Sequence, residues 1–178
     1  MCKFLACIVF VQLAFQIDLV VGRSVEFVTG SCSYSPKYFK NFSLTIVENL
    51  MNMDMDLNRP IQRGFKAHFD IQLRLANAKN FQSMFNQKND VCAVTSSVKN
   101  SLFKSWFKDM TKYSNFMYNC PVEVGHYYLR NWRMGSSMTH KFLIPGEYRG
   151  KVSFFYGKYG TKSFEEALNL TIDAILSN

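Results

Sequence analysis

Two aspartates and three histidines are the residues of this sequence whose types and spacing could support catalysis or metal binding. Asp54 and Asp56 stand two apart in an alternating segment, so both carboxylates fall on one strand face, as an acid and base pair would require. Alternating acids more often form the solvated side of a strand. His68, His126 and His140 lack H-E-x-x-H spacing and a nearby C-x-x-C pair, which argues against a zinc site. Since no G-x-S-x-G elbow or phosphate-binding glycine loop occurs either, we expect a non-catalytic protein without metal or cofactor.

The first 22 residues are typical of a secretory signal peptide. A positive charge at Lys3 precedes the apolar residues 4–15, and residues 20–22 (V-V-G) are small or permissive enough for cleavage. The apolar run is shorter than the roughly 20 residues that span a bilayer, and no later stretch is long enough. The sequence therefore predicts a signal peptide at residues 1–22 and a single domain at residues 23–178 that is secreted and not membrane-spanning.

Removal of the signal peptide leaves three cysteines, Cys32, Cys92 and Cys120. Export places them in an oxidising route, where pairing is favoured. Cys92 with Cys120 is the predicted disulfide, because the residues between them are enough for a helix and a return turn. Closing such a loop stabilises a fold by roughly 3–4 kcal/mol. Cys32 is then either a free buried thiol in a monomer or a link to another chain in a dimer.

The segment between Cys92 and Cys120 predicts one amphipathic helix. Apolar residues recur every four positions on one face and have two phenylalanines beside them: Val98, Leu102, Trp106 and Met110, with Phe103 and Phe107. Lysines take the opposite face: Lys99, Lys104, Lys108 and Lys112. Ser96 or Ser97 can cap the first turn. We therefore expect a helix from about Ser96 to Lys112, tethered by the disulfide.

Alternation of apolar and polar residues predicts strands elsewhere in the chain. The clearest strand is residues 65–75, where the alternation is unbroken. Residues 49–58 place methionines on one face, and this soft surface either fills the core or forms a pliable ligand wall. Residues 167–175 are assigned to a strand, although their E-E-A-L start would also suit a helix, and residues 81–85 to a turn or short helix. The other predicted strands are residues 24–31, 42–46, 127–132 and 149–156.

Charge and sequons describe the predicted surface. The formal net charge is +8, which favours either an anionic surface as partner or simply a solvated basic exterior. No helix-turn-helix, zinc-finger or RNA-recognition signature occurs, so nucleic acid is not an expected partner. Asn41 and Asn169 each begin an N-x-S/T sequon and are predicted glycosylation sites in an exported chain.

Several short motifs together resemble a known family. They are D-V-C at residues 90–92, S-N-F-M-Y-N-C-P at 114–121, G-H-Y-Y-L-R-N-W at 125–132 and P-G-E-Y-R at 145–149. The set resembles the Daedalus-related family, small secreted insect proteins of unknown function, over nearly the whole mature chain. That group is similar to the lipid-recognition (ML) domains, which include ganglioside-activator-like chemosensory proteins of insects. The resemblance implies a mainly β, immunoglobulin-like antiparallel β-sandwich whose sheets part around an apolar ligand. It carries over no catalytic residue.

The predicted function is binding of a lipid or other apolar small molecule between two sheets, in a role that the resemblance makes chemosensory. The apolar faces of residues 65–75 and 152–156, with the methionine strand, offer more ring and thioether surface than a thin sandwich needs. The expected lining residues are Phe69, Ile71, Leu73, Trp106, Phe107 and Phe154. The alternative is a filled core in an extracellular protein-interaction or signalling factor. A membrane-active cationic protein is disfavoured, because the basic residues are not gathered on one helix with a long apolar face.

Overall fold

The structure, a computed structural model, describes residues 24–97, 104–116, 120–134 and 143–177 of the 178-residue chain. The strands in this part are β1 (Ser24–Tyr34), β2 (Phe39–Val47), β3 (Leu50–Leu57), β4 (Lys66–Arg74), β5 (Gln82–Asp90), β6 (His126–Trp132), β7 (Gly146–Tyr156) and β8 (Glu165–Ser177). Among the described residues between β5 and β6 there are two short helices, α1 (Val91–Ser97) and α2 (Lys104–Met110), and a 3-10 turn at Thr111–Tyr113 follows α2.

The strands form two antiparallel sheets. The five-stranded sheet has the order β1-β8-β7-β4-β5, and the three-stranded sheet has the order β2-β3-β6. Buried residues from both sheets form one core, which includes Phe27, Phe39, Leu129, Trp132 and Leu168. The predicted mainly β fold of two packed antiparallel sheets is therefore confirmed.

The long alternating segments pair with each other, which brings their apolar faces to the same side. In β4 and β7, Ala67 lies opposite Phe154 and Phe69 lies opposite Val152. Directly opposed residues share a sheet face, so the apolar side chains of these strands form one continuous surface. β8 continues that surface, because it pairs with β7 on one side and with β1 on the other. This pairing confirms the strand assigned to residues 167–175.

The prediction of a turn or short helix at residues 81–85 is wrong. Gln82–Asp90 forms β5, an edge strand of the five-stranded sheet that pairs with β4. Residues 82–88 are all exposed, so neither face of this segment has to be apolar and no alternation marks it in the sequence. Pairing with β4, rather than a local pattern, decides its conformation.

The helical region begins earlier than the sequence predicts. Asp90 Oδ1 accepts a hydrogen bond from the backbone N–H of Ala93 at 3.0 Å, so Asp90 caps α1. Asp90 Oδ2 accepts a second bond from the N–H of Gly64 at 2.8 Å, which ties the helix start to the loop before β4. These backbone donors, with Gly64 first, hold the pKa of Asp90 below its ordinary value. The expected cap at Ser96 or Ser97 is therefore wrong, since both residues lie in the last turn of α1.

The predicted disulfide between Cys92 and Cys120 is confirmed. The two Cα atoms are 5.5 Å apart, a usual separation for a disulfide. The bridge ties α1 to the segment that precedes β6, and it brackets residues 98–103, which carry part of the predicted apolar stripe and lie outside the described residues. In the described part of the chain, no helix has the length and apolar character needed to cross a membrane.

Candidate functional site

An apolar cavity of about 260 Å³ lies between the two sheets. Residues from both sheets and from the helical region line it, and it is partly open to solvent. Sixteen described residues line it: Phe39, Phe42, Met53, Met55, Ile61, Phe65, Val91, Thr95, Phe107, Met110, Phe116, Val122, Tyr127, Phe154, Leu168 and Leu170.

Each sheet supplies one wall of the cavity. On the three-stranded sheet, Met55 of β3 lies between Phe42 of β2 and Tyr127 of β6 in the strand register. On the five-stranded sheet, Phe154 of β7 lies opposite Leu168 of β8. Because cross-strand partners share a face, these rows of rings, thioethers and branched chains face each other across the cavity.

The helical region supplies a third wall, formed by residues between β5 and β6. We call this set the helical wall: Val91, Thr95, Phe107, Met110, Phe116 and Val122. Phe107 and Met110 lie on α2, and Val91 and Thr95 lie on α1. The alternation of the strands therefore makes two walls, and an amphipathic helical segment lines a third side of the space between them.

The helical wall is fastened at both ends. Cys92 directly follows Val91 in α1, and Cys120 stands two residues before Val122, so the disulfide joins the two ends of the wall. The backbone groups of Val122 and Ile61 exchange two hydrogen bonds, at 2.8 and 2.9 Å. The N–H of Val91 donates to the carbonyl of Phe65 at 2.8 Å. These links hold the helical wall against the sheets.

The described lining has two side-chain hydroxyl groups, and both are already bonded. The Thr95 hydroxyl lies 3.1 Å from the carbonyl oxygen of Val91 and 3.0 Å from that of Cys92. The Tyr127 hydroxyl donates to the carbonyl of Glu123 at 2.8 Å. Burial raises the pKa of Tyr127, and the negative charge of Glu123 adds to that rise. None of the sixteen described lining residues is charged, so the cavity is suited to apolar contact rather than to acid–base chemistry.

Of the five predicted lining residues whose side chains the structure describes, two line the cavity, Phe107 and Phe154. Phe69, Ile71 and Leu73 do not line it. They lie further along β4, where they face Val152, Gly150 and Tyr148 of β7. Leu73 is buried in the structure, whereas Phe69 and Ile71 are half-buried. The alternation of β4 identified the correct face, but it gave no position along the strand.

Most of the lining residues were missed by the sequence reasoning. The sequence predicts either core packing or a pliable ligand wall for Met53 and Met55, and both line the cavity. Phe42 lies directly opposite Met55, so the pairing of β2 with β3 was the signal that could have added it. Trp106, the remaining predicted residue, belongs to α2, and its side chain lies outside the described part of the structure.

The Asp54 and Asp56 pair lies on the outer face of the three-stranded sheet, since Met53 and Met55, which alternate with them, line the cavity. His126 contacts both carboxylates, with Nδ1 at 2.8 Å from Asp56 and Nε2 at 3.4 Å from Asp54. Arg130 donates to Asp54 at 2.8 Å, and this bond holds the pKa of Asp54 below its ordinary value. The cluster is therefore a surface network of polar contacts around the Arg130–Asp54 ion pair. Among the described residues, no group of three or more His, Cys, Asp or Glu could hold a metal ion.

The other residues singled out by the sequence lie apart from the cavity. Cys32 is a free, half-buried cysteine on β1, with Sγ 3.9 Å from a backbone carbonyl oxygen of β2. Asn41 is exposed on β2, and Asn169 is half-buried on β8. A link through Cys32 and glycosylation at either asparagine stay predictions. His140 lies outside the described residues.

The stretch from β4 to the first part of β7 has a counterpart among known families. Residues 67–150 match the sequence model of that family, and this segment contains the disulfide and the whole helical wall. Met53, Met55 and Leu168 lie outside it. No curated protein matches the chain, and the insect family and the ML likeness stay predictions. Over somewhat less than half of its length, the chain is thus similar to a family described as protein of unknown function, DUF1091.

Proposed function

We propose that this protein is a secreted, non-catalytic binding protein that holds a lipid or other apolar small molecule between its two sheets. The observation that carries the proposal is the cavity of about 260 Å³, whose described lining has no charged side chain. An apolar cavity of roughly 150 Å³ stays dry and binds benzene. Pockets for drug-sized ligands span roughly 300–1,000 Å³, so we expect a small ligand or a single short acyl chain.

Three methionines support an adaptable ligand site. Met53 and Met55 on β3 and Met110 on α2 all reach the cavity. A thioether side chain is flexible and polarisable, so it can fit irregular apolar shapes at little cost. The site is therefore expected to accept a range of related apolar molecules rather than one exact shape.

Secretion is supported by the signal-like residues 1–22 and by the disulfide. Disulfides persist in exported proteins and are rare where thiols are kept reduced. The disulfide between Cys92 and Cys120 fits the first setting. The resemblance to lipid-recognition domains and insect chemosensory proteins agrees with this location and suggests a chemosensory role for the ligand.

The alternative, an extracellular interaction or signalling factor, expects a core that is filled by its own side chains. The open space between Met55 and Phe154 disfavours it, because atoms that line an unfilled space lose their packing partners on one side. A bound molecule would restore those contacts.

Ligand uptake by the protein purified from insect cells tests the proposal. Native mass spectrometry reports co-purified lipid, and fluorescence of Nile red, a neutral apolar dye, reports uptake. Met55→Trp fills the cavity and should weaken dye binding by about tenfold or more. Met84→Trp makes the same change at a methionine that is 51% exposed on β5, and it should leave dye binding unchanged.

Two outcomes decide between the functions. Circular dichroism establishes that each variant is folded. If Met55→Trp is not folded, the smaller Met53→Phe change replaces it as the cavity variant. Absence of co-purified lipid together with no dye uptake by the wild-type protein would favour the surface-acting factor. Equal loss of dye binding in Met55→Trp and Met84→Trp would show that the dye does not report the cavity.

A further inference from the structure

We propose that the cavity selects uncharged apolar molecules and rejects the anionic carboxylates of free fatty acids. This inference rests on the proposed function and names the ligand class of the same site. It follows from the hydrogen-bonding state of the polar groups around the cavity, which leaves no described donor for a buried anion.

The sixteen described side chains of the lining offer no free donor. Its two hydroxyls, on Thr95 and Tyr127, each lie within hydrogen-bonding distance of a backbone carbonyl. Among the described residues, one buried side-chain polar atom has no hydrogen-bond partner, Ser114 Oγ, and Ser114 is not part of the lining. The remaining lining side chains are aliphatic, aromatic or thioether groups.

Four backbone donors of the lining are occupied too. The N–H groups of Ile61 and Val122 donate to each other's carbonyls, at 2.8 and 2.9 Å. The N–H of Phe65 donates to Gln62, and the N–H of Val91 donates to Phe65. A carboxylate placed among these residues would therefore lose its water without gaining a hydrogen bond, and that loss is large for a charged group.

Two cations of neighbouring elements are engaged elsewhere. Lys66 at the start of β4 donates to the carbonyl of Gly157 at 2.9 Å. Lys112, in the turn after α2, pairs with Asp109 at 3.1 Å. Lys104 and Lys108 on α2 are exposed and do not line the cavity. A fatty acid that bound with its chain in the cavity and its carboxylate outside, beside such an exposed lysine, would displace the dye at neutral pH. That result would contradict the inference.

Competition between matched ligands tests the inference. The wild-type protein is loaded with Nile red, and the dye is displaced with methyl decanoate, decanol or decanoate at neutral pH. The ester and the alcohol should displace the dye, whereas decanoate should compete at least about 100-fold less well. At a pH low enough to protonate decanoic acid, the acid should compete as well as the ester measured at the same pH.

The outcomes separate the ligand class from the function. Equal displacement by decanoate and methyl decanoate at neutral pH would overturn the ligand class and leave the binding function intact. Failure of decanoic acid to compete after protonation would also overturn it, because charge would then not be the reason for rejection. If the protein does not bind the dye, or if no competitor displaces it, the proposed binding function itself is wrong. Loss of direct methyl decanoate binding in Met55→Trp, measured by native mass spectrometry without dye, with retention in Met84→Trp, would support both.

Discussion

Removal of the disulfide should both destabilise the fold and loosen the cavity. Cys92 and Cys120 close a loop with a sequence separation of 28. The chain-entropy model gives about 3.6 kcal/mol for a loop of this length, because the unfolded chain regains the freedom that the bridge removed. For a domain of this size, that loss corresponds to a fall in melting temperature of about 7–14 °C. The double variant Cys92→Ser/Cys120→Ser avoids a leftover reactive thiol at the site.

Stability and ligand uptake test different parts of this reasoning. Urea unfolding of the double variant measures how much the disulfide contributes to the free energy of unfolding. Cys32→Ser is the control that removes the free cysteine. We expect the control to cost about 1 kcal/mol or less. Nile red uptake per folded molecule reports whether the helical wall stays in place around the cavity. Uptake should fall in the double variant, because the ends of the wall at Val91 and Val122 are then no longer joined. A stability loss no greater than that of Cys32→Ser would refute the tether. Unchanged dye uptake would show that the helical wall keeps its position without the disulfide.

Three further predictions concern single features of the fold. Asp90→Ala removes the cap of α1 and should cost about 1 kcal/mol, whereas Asp90→Asn keeps an accepting oxygen and should cost less; thermal unfolding compares them. Gly157→Ala should destabilise more than Gly160→Ala in the same measurement. Both glycines have positive φ angles, but an added Cβ at Gly157 would lie 1.8 Å from the carbonyl oxygen of Ser163, and at Gly160 it would meet open space. Acid should destabilise the protein through Asp173, whose pKa is lowered by its bond with Arg149. A lowered folded-state pKa means that the contribution is present above the unfolded pKa of about 3.9 and is lost as pH falls through the folded value. Urea midpoints should therefore drop less between pH 5 and pH 3 in Asp173→Asn than in the wild type, and equal drops would exclude this carboxylate as a cause.

The sequence predicts strands well where one face is buried and poorly where neither is. β4 has an apolar face in the core, so unbroken alternation is required there and is visible in the sequence. β5 lies next to it, but Met84 is 51% exposed and Phe85 is 40% exposed. No face of β5 is selected for burial, and so its sequence carries no periodic signal. Its strand conformation comes from pairing with β4, which a local pattern cannot contain.

The cavity was predictable in kind but not in place. Alternation placed Phe69 and Phe154 on inward faces, and both predictions of face agree with the register. Of these two residues, Phe154 lines the cavity and Phe69 does not. The position of the cavity along the sheet depends on where the helical wall meets the sheets. That depends in turn on Asp90, which starts α1 directly after β5. A D-V-C-A sequence contains a good capping residue, so the helix start could have been found from the sequence.

The helical wall explains why a space remains between the sheets. The inner sheet faces are unequal, with five strands opposite three, so the smaller sheet alone cannot cover the larger one. Two sheets in direct contact would pack about 10 Å apart and fill the space with interdigitated side chains. Here Phe107 and Met110 line the space from the side, and we expect the disulfide, which joins the two ends of the helical wall, to limit how far that wall can move. The depth and shape of the cavity should therefore be set mainly by the segment between Val91 and Val122. Substitutions there are expected to change which apolar molecules bind. The outer sheet faces carry the ion pairs of Asp54 and Asp173, and substitutions on those faces should leave ligand preference unchanged.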